Sequence, residues 1–347
     1  MTNKGKTCWA AAGRMRSIAL SLGLLALILA LAGAGAAAAQ SASPSANRSS
    51  ALAVTDEEGR AVQVPQPVRR IVSLAPNLTE IVFALGLGDR LVGDTDYCNY
   101  PPEALKKVHV GGPVNPSLET IVALHPDLVL ATRTINRLAT VQALERLGVA
   151  VYATDPHTIE QVLSSNEQLG RLLGASQQGA TLAAGLRERL SRLQLRLSGS
   201  QPLSVLFITW VDPLISVGRN TFIADALRMA GARSVIATAL DWPNVRLEEV
   251  VHQLPEYLIF SSDQPEQTEH QIAELRGRAG WQDLEALRHN RIVILSEAFS
   301  RPAPRLVDTI EQLARALHPD RFAAAHSAMP PFAASHAPML SLAAGAL

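Results

Sequence analysis

Cysteine is nearly absent: the 347 residues hold two, Cys8 and Cys98, and Cys8 lies in an N-terminal segment expected to be lost on export. A single remaining thiol makes no intramolecular disulfide and no thiolate zinc site, so the folded part must be held by its core. Aromatic residues are scarce at 4%, which gives weight to each Trp and Tyr of the folded part. Net charge is lacking as well, with 31 basic and 31 acidic groups. Four of the basic groups, Lys4, Lys6, Arg14 and Arg16, and none of the acids stand before residue 40, so the rest carries 27 against 31, a formal −4. That balance argues against nucleic acid as a partner, because phosphate binding needs the opposite excess. The apolar run Ile18 to Leu31 falls short of the roughly 20 residues that a spanning helix prefers. Hydrolase and nucleotide signatures are missing too: there is no Gly-x-Ser-x-Gly elbow, no His-Glu-x-x-His and no phosphate loop. An exported hydrolase or chelatase is therefore disfavoured.

What is present begins with an export signal. The four basic residues, the apolar run and the small residues Gly33 to Ala39 follow one another in the order of a secretory signal peptide. Cleavage near Ala39 is expected, which places the mature chain in the periplasm. Residues 40–67 read as a Ser- and Ala-rich tether with a lead-in, and residues 320–347, rich in Ala, Pro, His and Met, as a disordered tail.

Between them, short apolar runs alternate with helical patterns. Arg70 to Leu74, Leu91 to Gly93, Leu128 to Ala131 and Val149 to Tyr152 read as strands, separated by helices that Gly86, Pro126 and Gly148 terminate. Such alternation implies parallel β-α-β units over residues 68–158. From Ile159 the chain is almost continuously helix-forming to Leu197, with Gly170 and Gly174 as candidate breaks. Ser176 to Leu197 would make a helix of about 33 Å, so residues 159–199 read as a helical linker. The α/β alternation resumes over residues 200–319.

The two halves repeat. Leu118-Glu119-Thr-Ile-Val-Ala-Leu-His-Pro126 matches Leu247-Glu248-Glu-Val-Val-His-Gln-Leu-Pro255 at a constant offset of 129. A period that long marks a duplicated domain. The expected fold is α/β: two Rossmann-like lobes with parallel sheets, joined by a single long α-helix, with the ligand cleft between the lobes.

This arrangement resembles the helical-backbone class of periplasmic binding proteins. The resemblance is carried by Ile71-Val-Ser-Leu-Ala-Pro-Asn-Leu-Thr-Glu80, Thr95-Asp-Tyr-Cys-Asn-Tyr-Pro-Pro102, Val110-Gly-Gly-Pro-Val-Asn-Pro-Ser-Leu-Glu119, Asp241-Trp-Pro-Asn-Val-Arg-Leu-Glu248 and Arg301-Pro-Ala-Pro-Arg305. It spans Arg69 to Leu317, and the last two segments lean toward the corrinoid carriers of the class. It implies a monomeric carrier, not an enzyme, that delivers cobalamin or a related corrinoid to the permease dimer of an ABC importer; haem or a ferric siderophore is the alternative cargo. No cofactor and no protein metal ligand is implied, since such carriers take a metal already held in its organic complex. His109, His125, His157 and His252 lack zinc-site spacing in any case.

Glu119 and Glu248 occupy equivalent places near helix starts. They would either compensate the helix dipole or, as the resemblance implies, dock one lobe each on the permease. Tyr97 and Tyr100 lie in a polar loop after a strand and are expected in the cleft. Trp242 stands outside any apolar run and is expected to cover a flat ligand, whereas Trp210, at a strand end, reads equally as core or cleft. Glu297, Phe299 and Arg301 form the loop after a strand ending at Leu295, and Pro76 and Asn77 the matching loop of the first lobe. Strand ends that face a crevice bind ligands in α/β folds. Arg301 would pair with a ligand anion or hold its own loop. Pro113, Thr132 and Ala298 stand where the corrinoid carriers would have aromatic residues.

Overall fold

The structure, a computed structural model, describes residues 51–323. The expected export signal, the first part of the tether and residues 324–347 of the expected tail lie outside the described residues.

The lead-in is more ordered than its composition suggests. β1 (Ala51–Thr55) and β2 (Ala61–Pro65) form an antiparallel hairpin. Alternation in Ala-Val-Gln-Val-Pro turns Val62 and Val64 inward onto the first core. Asp56 shapes the turn, its Oδ1 accepting from the backbone N–H groups of Glu58 at 3.1 Å and Arg60 at 2.8 Å. Next to it, the Glu57 carboxylate accepts from the Asp155 N–H at 2.8 Å and the Ser165 hydroxyl at 2.6 Å. The hairpin thus braces the chain where it leaves the first lobe.

The first lobe is a five-stranded parallel sheet of β3 (Ile71–Ser73), β4 (Leu91–Asp94), β5 (Val108–His109), β6 (Leu128–Thr132) and β7 (Val151–Thr154), in the order β5-β4-β3-β6-β7. Helices α1 (Pro76–Ala84), α2 (Leu118–Ala123) and α3 (Leu138–Arg146) connect the strands. Pro76 is the first residue of α1, where its missing N–H costs nothing, and Gly86, at φ +74°, turns the chain after the helix. β3 and β6 are buried throughout, as expected of central parallel strands.

The chain then crosses to the second lobe through α4 (Ile159–Leu172) and α5 (Ser176–Leu197). The expected long helix is present as the 22 residues of α5, but it is doubled. Thr158 starts α4 with a capping box to Gln161, and Gly174, at φ +74°, reverses the chain between the helices. The two helices meet at glycines: a Cβ on Gly170 would lie 3.0 Å from the Gly179 Cα, and one on Gly179 would lie 3.1 Å from the Gly170 Cα. Helix α4 enters both cores, and Leu182 of α5 packs against both. Ile159, Val162 and Leu163 of α4 join Leu186, Leu190 and Leu193 of α5 in the second core, while Leu169 and Leu172 belong to the first.

The second lobe contains β8 (Leu203–Ile208), the small hairpin β9 (Trp210–Val211) and β10 (Leu214–Ile215), α6 (Phe222–Met229), β11 (Ala232–Ser234), α7 (Leu247–Gln253), β12 (Tyr257–Ser261), α8 (Pro265–Arg276), α9 (Glu285–Arg288), β13 (Ile292–Leu295) and α10 (Leu306–Leu317). Its parallel sheet runs β11-β8-β12-β13, the same order as β4-β3-β6-β7. The duplication extends to details. His125 and Leu254, equivalent in the repeat, both take positive φ, 44° and 48°, after α2 and α7. Asp127 then accepts from the Arg69 and Arg70 N–H groups at 2.8 and 2.9 Å before β3, and its equivalent Glu256 accepts from the Ser204 N–H at 2.7 Å in β8. Order also reaches past Pro319: Phe322, in the segment expected to be disordered, packs on the second core with the guanidinium of Arg196 5.1 Å from its ring centre.

Candidate ligand cleft

In both lobes the sheet strands end toward the same place. Pro76 and Asn77 follow β3, Tyr97 follows β4, and Glu297, Ser300 and Arg301 follow β13; together they line a cavity of about 310 Å³ between the lobes. Pro113 and Ile135 complete it on one side and Ser261, the last residue of β12, on the other. The structure therefore brings Pro76, Asn77, Tyr97, Glu297 and Arg301 into one wall. Tyr97 is 64% exposed, and its ring is the largest aromatic surface on this cavity.

Arg301 does not offer a free charge to that space. It is 9% exposed, and its Nη1 donates to Glu80 Oε1 at 3.1 Å and Asn99 Oδ1 at 2.8 Å, while Nη2 donates to Glu297 Oε2 at 2.8 Å. Arg305 reaches the same acid, donating through Nε to Glu80 Oε2 at 2.9 Å and through Nη2 to Oε1 at 2.6 Å. Glu80 is on α1 in the first lobe and both arginines are in the second, so one buried carboxylate ties the lobes together behind the cavity. Burial works against the charge on Arg305, but the Glu80 carboxylate outweighs it and raises the guanidinium above its ordinary range. Tyr100 belongs to this strut, not to the cavity wall: the Arg305 guanidinium stacks 3.6 Å from the centre of its ring. Of the two alternatives open for Arg301, holding structure is the one its partners satisfy.

Glu80, Asn99 and Arg305 were not singled out as site residues. A glutamate on the buried face of a short apolar helix was the available signal, because a buried charge needs a partner.

The expectation for Phe299 is corrected, and Trp242, like Tyr100, stands off the cavity wall. Phe299 is 0% exposed and packs in the second core, its ring centre 5.6 Å from that of Phe207. A 3₁₀ turn over Glu297–Ser300 rotates its side chain inward, so it is a core residue and does not line the cavity. Trp242 lines neither this cavity nor the one beside it. Its loop is strapped to the segment after β10 by bonds from the Ser216 N–H to the Pro243 carbonyl at 3.2 Å and from the Gly218 N–H to the Asp241 carbonyl at 3.0 Å.

Trp210, left open between core and cleft, is 62% exposed and lines a second cavity of about 620 Å³. Thr132, in an expected aromatic position, is buried and bonded to Asn136 and Thr154. Glu119 and Glu248 lie far from these contacts in role: each is exposed in the first turn of its short helix, and neither makes an ion pair among the described residues. No group of three His, Cys, Asp or Glu side chains is placed to hold a metal ion among the described residues.

Comparison with known proteins agrees with this architecture. A family model described as "Periplasmic binding protein" matches residues 71–298. The vitamin B12-binding protein of Vibrio cholerae is 30% identical over 252 residues, covering 72% of this chain and 89% of its own length. The crystal structure of the periplasmic vitamin B12-binding protein BtuF of Vibrio cholerae superposes with a TM-score of 0.64 at 27% identity, over 72% of this chain and 97% of that one. The periplasmic haem-binding protein RhuT of Roseiflexus sp. RS-1 superposes with a TM-score of 0.66 at 26% identity, over 73% of this chain and 99% of that one. With two duplicated α/β lobes around a cleft and a family match across most of both, this chain belongs to the periplasmic binding protein family.

Proposed function

We propose that the protein is the exported solute-binding component of an ABC importer, and that its cargo is cobalamin or a related corrinoid. The observation that carries the choice of cargo is the charge balance of the cleft. Among the described residues, the one cation on the cavity wall, Arg301, is already engaged by Glu80, Asn99 and Glu297, and the one acid, Glu297, is engaged by Arg301. The remaining wall consists of prolines, the aliphatic Ile135, hydroxyls, one amide and a phenol. Haem carboxylates and ferric siderophores of the catecholate or carboxylate type are anionic and call for an unpaired cation. A corrin ring rimmed by amides is a large body that asks for apolar surface and neutral hydrogen-bonding groups. The vitamin B12-binding relatives support the same choice.

Haem keeps one observation in its favour: the Tyr97 phenol stands exposed on the cavity wall, and tyrosine is among the side chains that hold haem iron. The exported chain is read as a monomer that releases its cargo unchanged, with no turnover.

Calorimetric titration of the purified protein with cyanocobalamin and with haemin tests the reading. One-to-one binding of cyanocobalamin with weaker or no haemin binding is expected. Tight haemin binding that Tyr97→Phe abolishes, together with silence toward cyanocobalamin, would replace the cargo and keep the carrier.

A further inference from the structure

The cleft does not end at Ser261. That residue lines both the central cavity and the larger cavity of about 620 Å³, which opens within the second lobe between the ends of β8 and β12 and helix α8. Its hydroxyl is a fixed sill between the two spaces, donating to the Ser296 carbonyl at 3.1 Å and accepting from the Ser300 hydroxyl at 3.0 Å. The central cavity alone is at the small end of the roughly 300–1,000 Å³ that ligand sites span, whereas the two together approach the upper end.

The walls of the side chamber have a consistent chemistry. Trp210 is held as one wall by the bond from its Nε1 to the Asp212 carbonyl at 2.9 Å, which leaves its ring uncovered. Arg278 and Asp212 pair at 2.6 Å, and the His270 imidazole lies 3.5 Å from the Glu274 carboxylate. Gln267 and Gln271, one turn apart on α8, line the chamber and therefore share a helix face. An aromatic plate and two amides in one chamber suit a flat or sugar-like group that stacks and hydrogen-bonds.

We propose that the solute occupies both spaces: its rigid body sits in the central cavity, and an arm with a flat, hydrogen-bonding end crosses Ser261 and lies in the side chamber between Trp210 and the Gln267–Gln271 face. This rests on the corrinoid reading and makes the second lobe the one that distinguishes corrinoids by their side arm.

The test measures the affinities of cyanocobalamin, which carries a nucleotide arm, and of cobinamide, which lacks it, for the wild-type protein, the double variant Gln267→Ala/Gln271→Ala and Trp210→Ala. The wild type should bind cyanocobalamin at least about tenfold more tightly than cobinamide, the equivalent of one good contact region. Each variant should lose about five- to tenfold toward cyanocobalamin and less than about twofold toward cobinamide. Equal wild-type affinities for the two ligands, or variants that weaken both ligands alike or neither, overturn the side-chamber assignment while leaving the corrinoid reading intact. Failure of the wild type to bind either corrinoid overturns the corrinoid reading itself, and this assignment with it.

Discussion

Removing the Glu80 carboxylate should separate the lobes energetically as well as weaken the fold. Glu80 is 3% exposed and accepts three hydrogen bonds from two guanidinium groups, Arg301 and Arg305. Glu80→Ala would leave Arg301 with Asn99 and Glu297, and Arg305 with only the Tyr100 ring, in a site where water cannot fully compensate. Breaking a buried pair by deleting one partner typically costs about 3–5 kcal/mol, mostly because the stranded charge stays buried. For a chain of this size that corresponds to a fall in Tm of about 6 °C or more. Since the pair bridges the lobes, ligand affinity should fall as well, and small-angle scattering should show a broader distribution of shapes. The charge-free triple variant Glu80→Leu/Arg301→Met/Arg305→Met should recover much of the stability, because no charge is then stranded. A loss below about 1 kcal/mol for Glu80→Ala, the value of an exposed pair, would refute the strut.

Three further outcomes follow from other parts of the molecule. Gly170→Val should cost about 1–3 kcal/mol, because its Cβ would meet the Gly179 Cα and the Ala175 carbonyl oxygen, both at 3.0 Å; Gly185→Ala, in the same pair of helices with nothing within 4 Å, should instead raise Tm slightly. Asp94 gives a pH signature. Burial pushes its carboxyl up to about 6, against the His109 imidazole and Lys107. Because its folded pKa lies above the unfolded value of 3.8, the folded state binds the proton more tightly, and stability falls as pH rises from about 4 to about 6. Asp94→Asn should therefore gain about 1–3 kcal/mol on the wild type above pH 6 and nothing near pH 4, measured by urea unfolding across that range; a difference independent of pH counts against it. Reversing Glu119 or Glu248 to Lys should abolish delivery to the reconstituted importer while leaving ligand affinity within about twofold, since an exposed, unpaired charge acts on a partner and not on the cleft.

The architecture was legible because parallel strands are short, β-branched and punctuated. Ile71-Val-Ser and Leu128 to Thr132 stand out beside Pro76 and Pro126, and Ile292 to Leu295 as an apolar run between polar segments. The offset of 129 reappears as paired positive-φ residues at His125 and Leu254. The β1–β2 hairpin was not legible: β1 is Ala-Leu-Ala-Val-Thr with four of five residues exposed, and its order comes from Glu57 and Asp56 meeting groups far along the chain. The break at Gly174 was legible, but the packing of α4 against α5 was hidden for a related reason. A glycine inside a helix reads as a break, and only the packed structure reveals that Gly170 stays helical so that α5 can approach.

The strand-end rule pointed to loops that the fold brings to one cavity but could not orient every side chain on them. Glu297 and Arg301 reach the cavity, whereas Phe299, between them, turns into the core. The strut was out of reach for a different reason: Arg305 and Glu80 are 225 residues apart, and nothing in spacing announces such a pair. Yet the strut decides how the cleft selects. An arginine free to meet an anion would favour any acidic solute that fits. An arginine consumed by the lobe-to-lobe contact removes that preference and also fixes the separation of the walls, so discrimination falls to shape and to neutral hydrogen bonding. The same bonds that take up the arginine therefore set the width that the proposed flat ring must match.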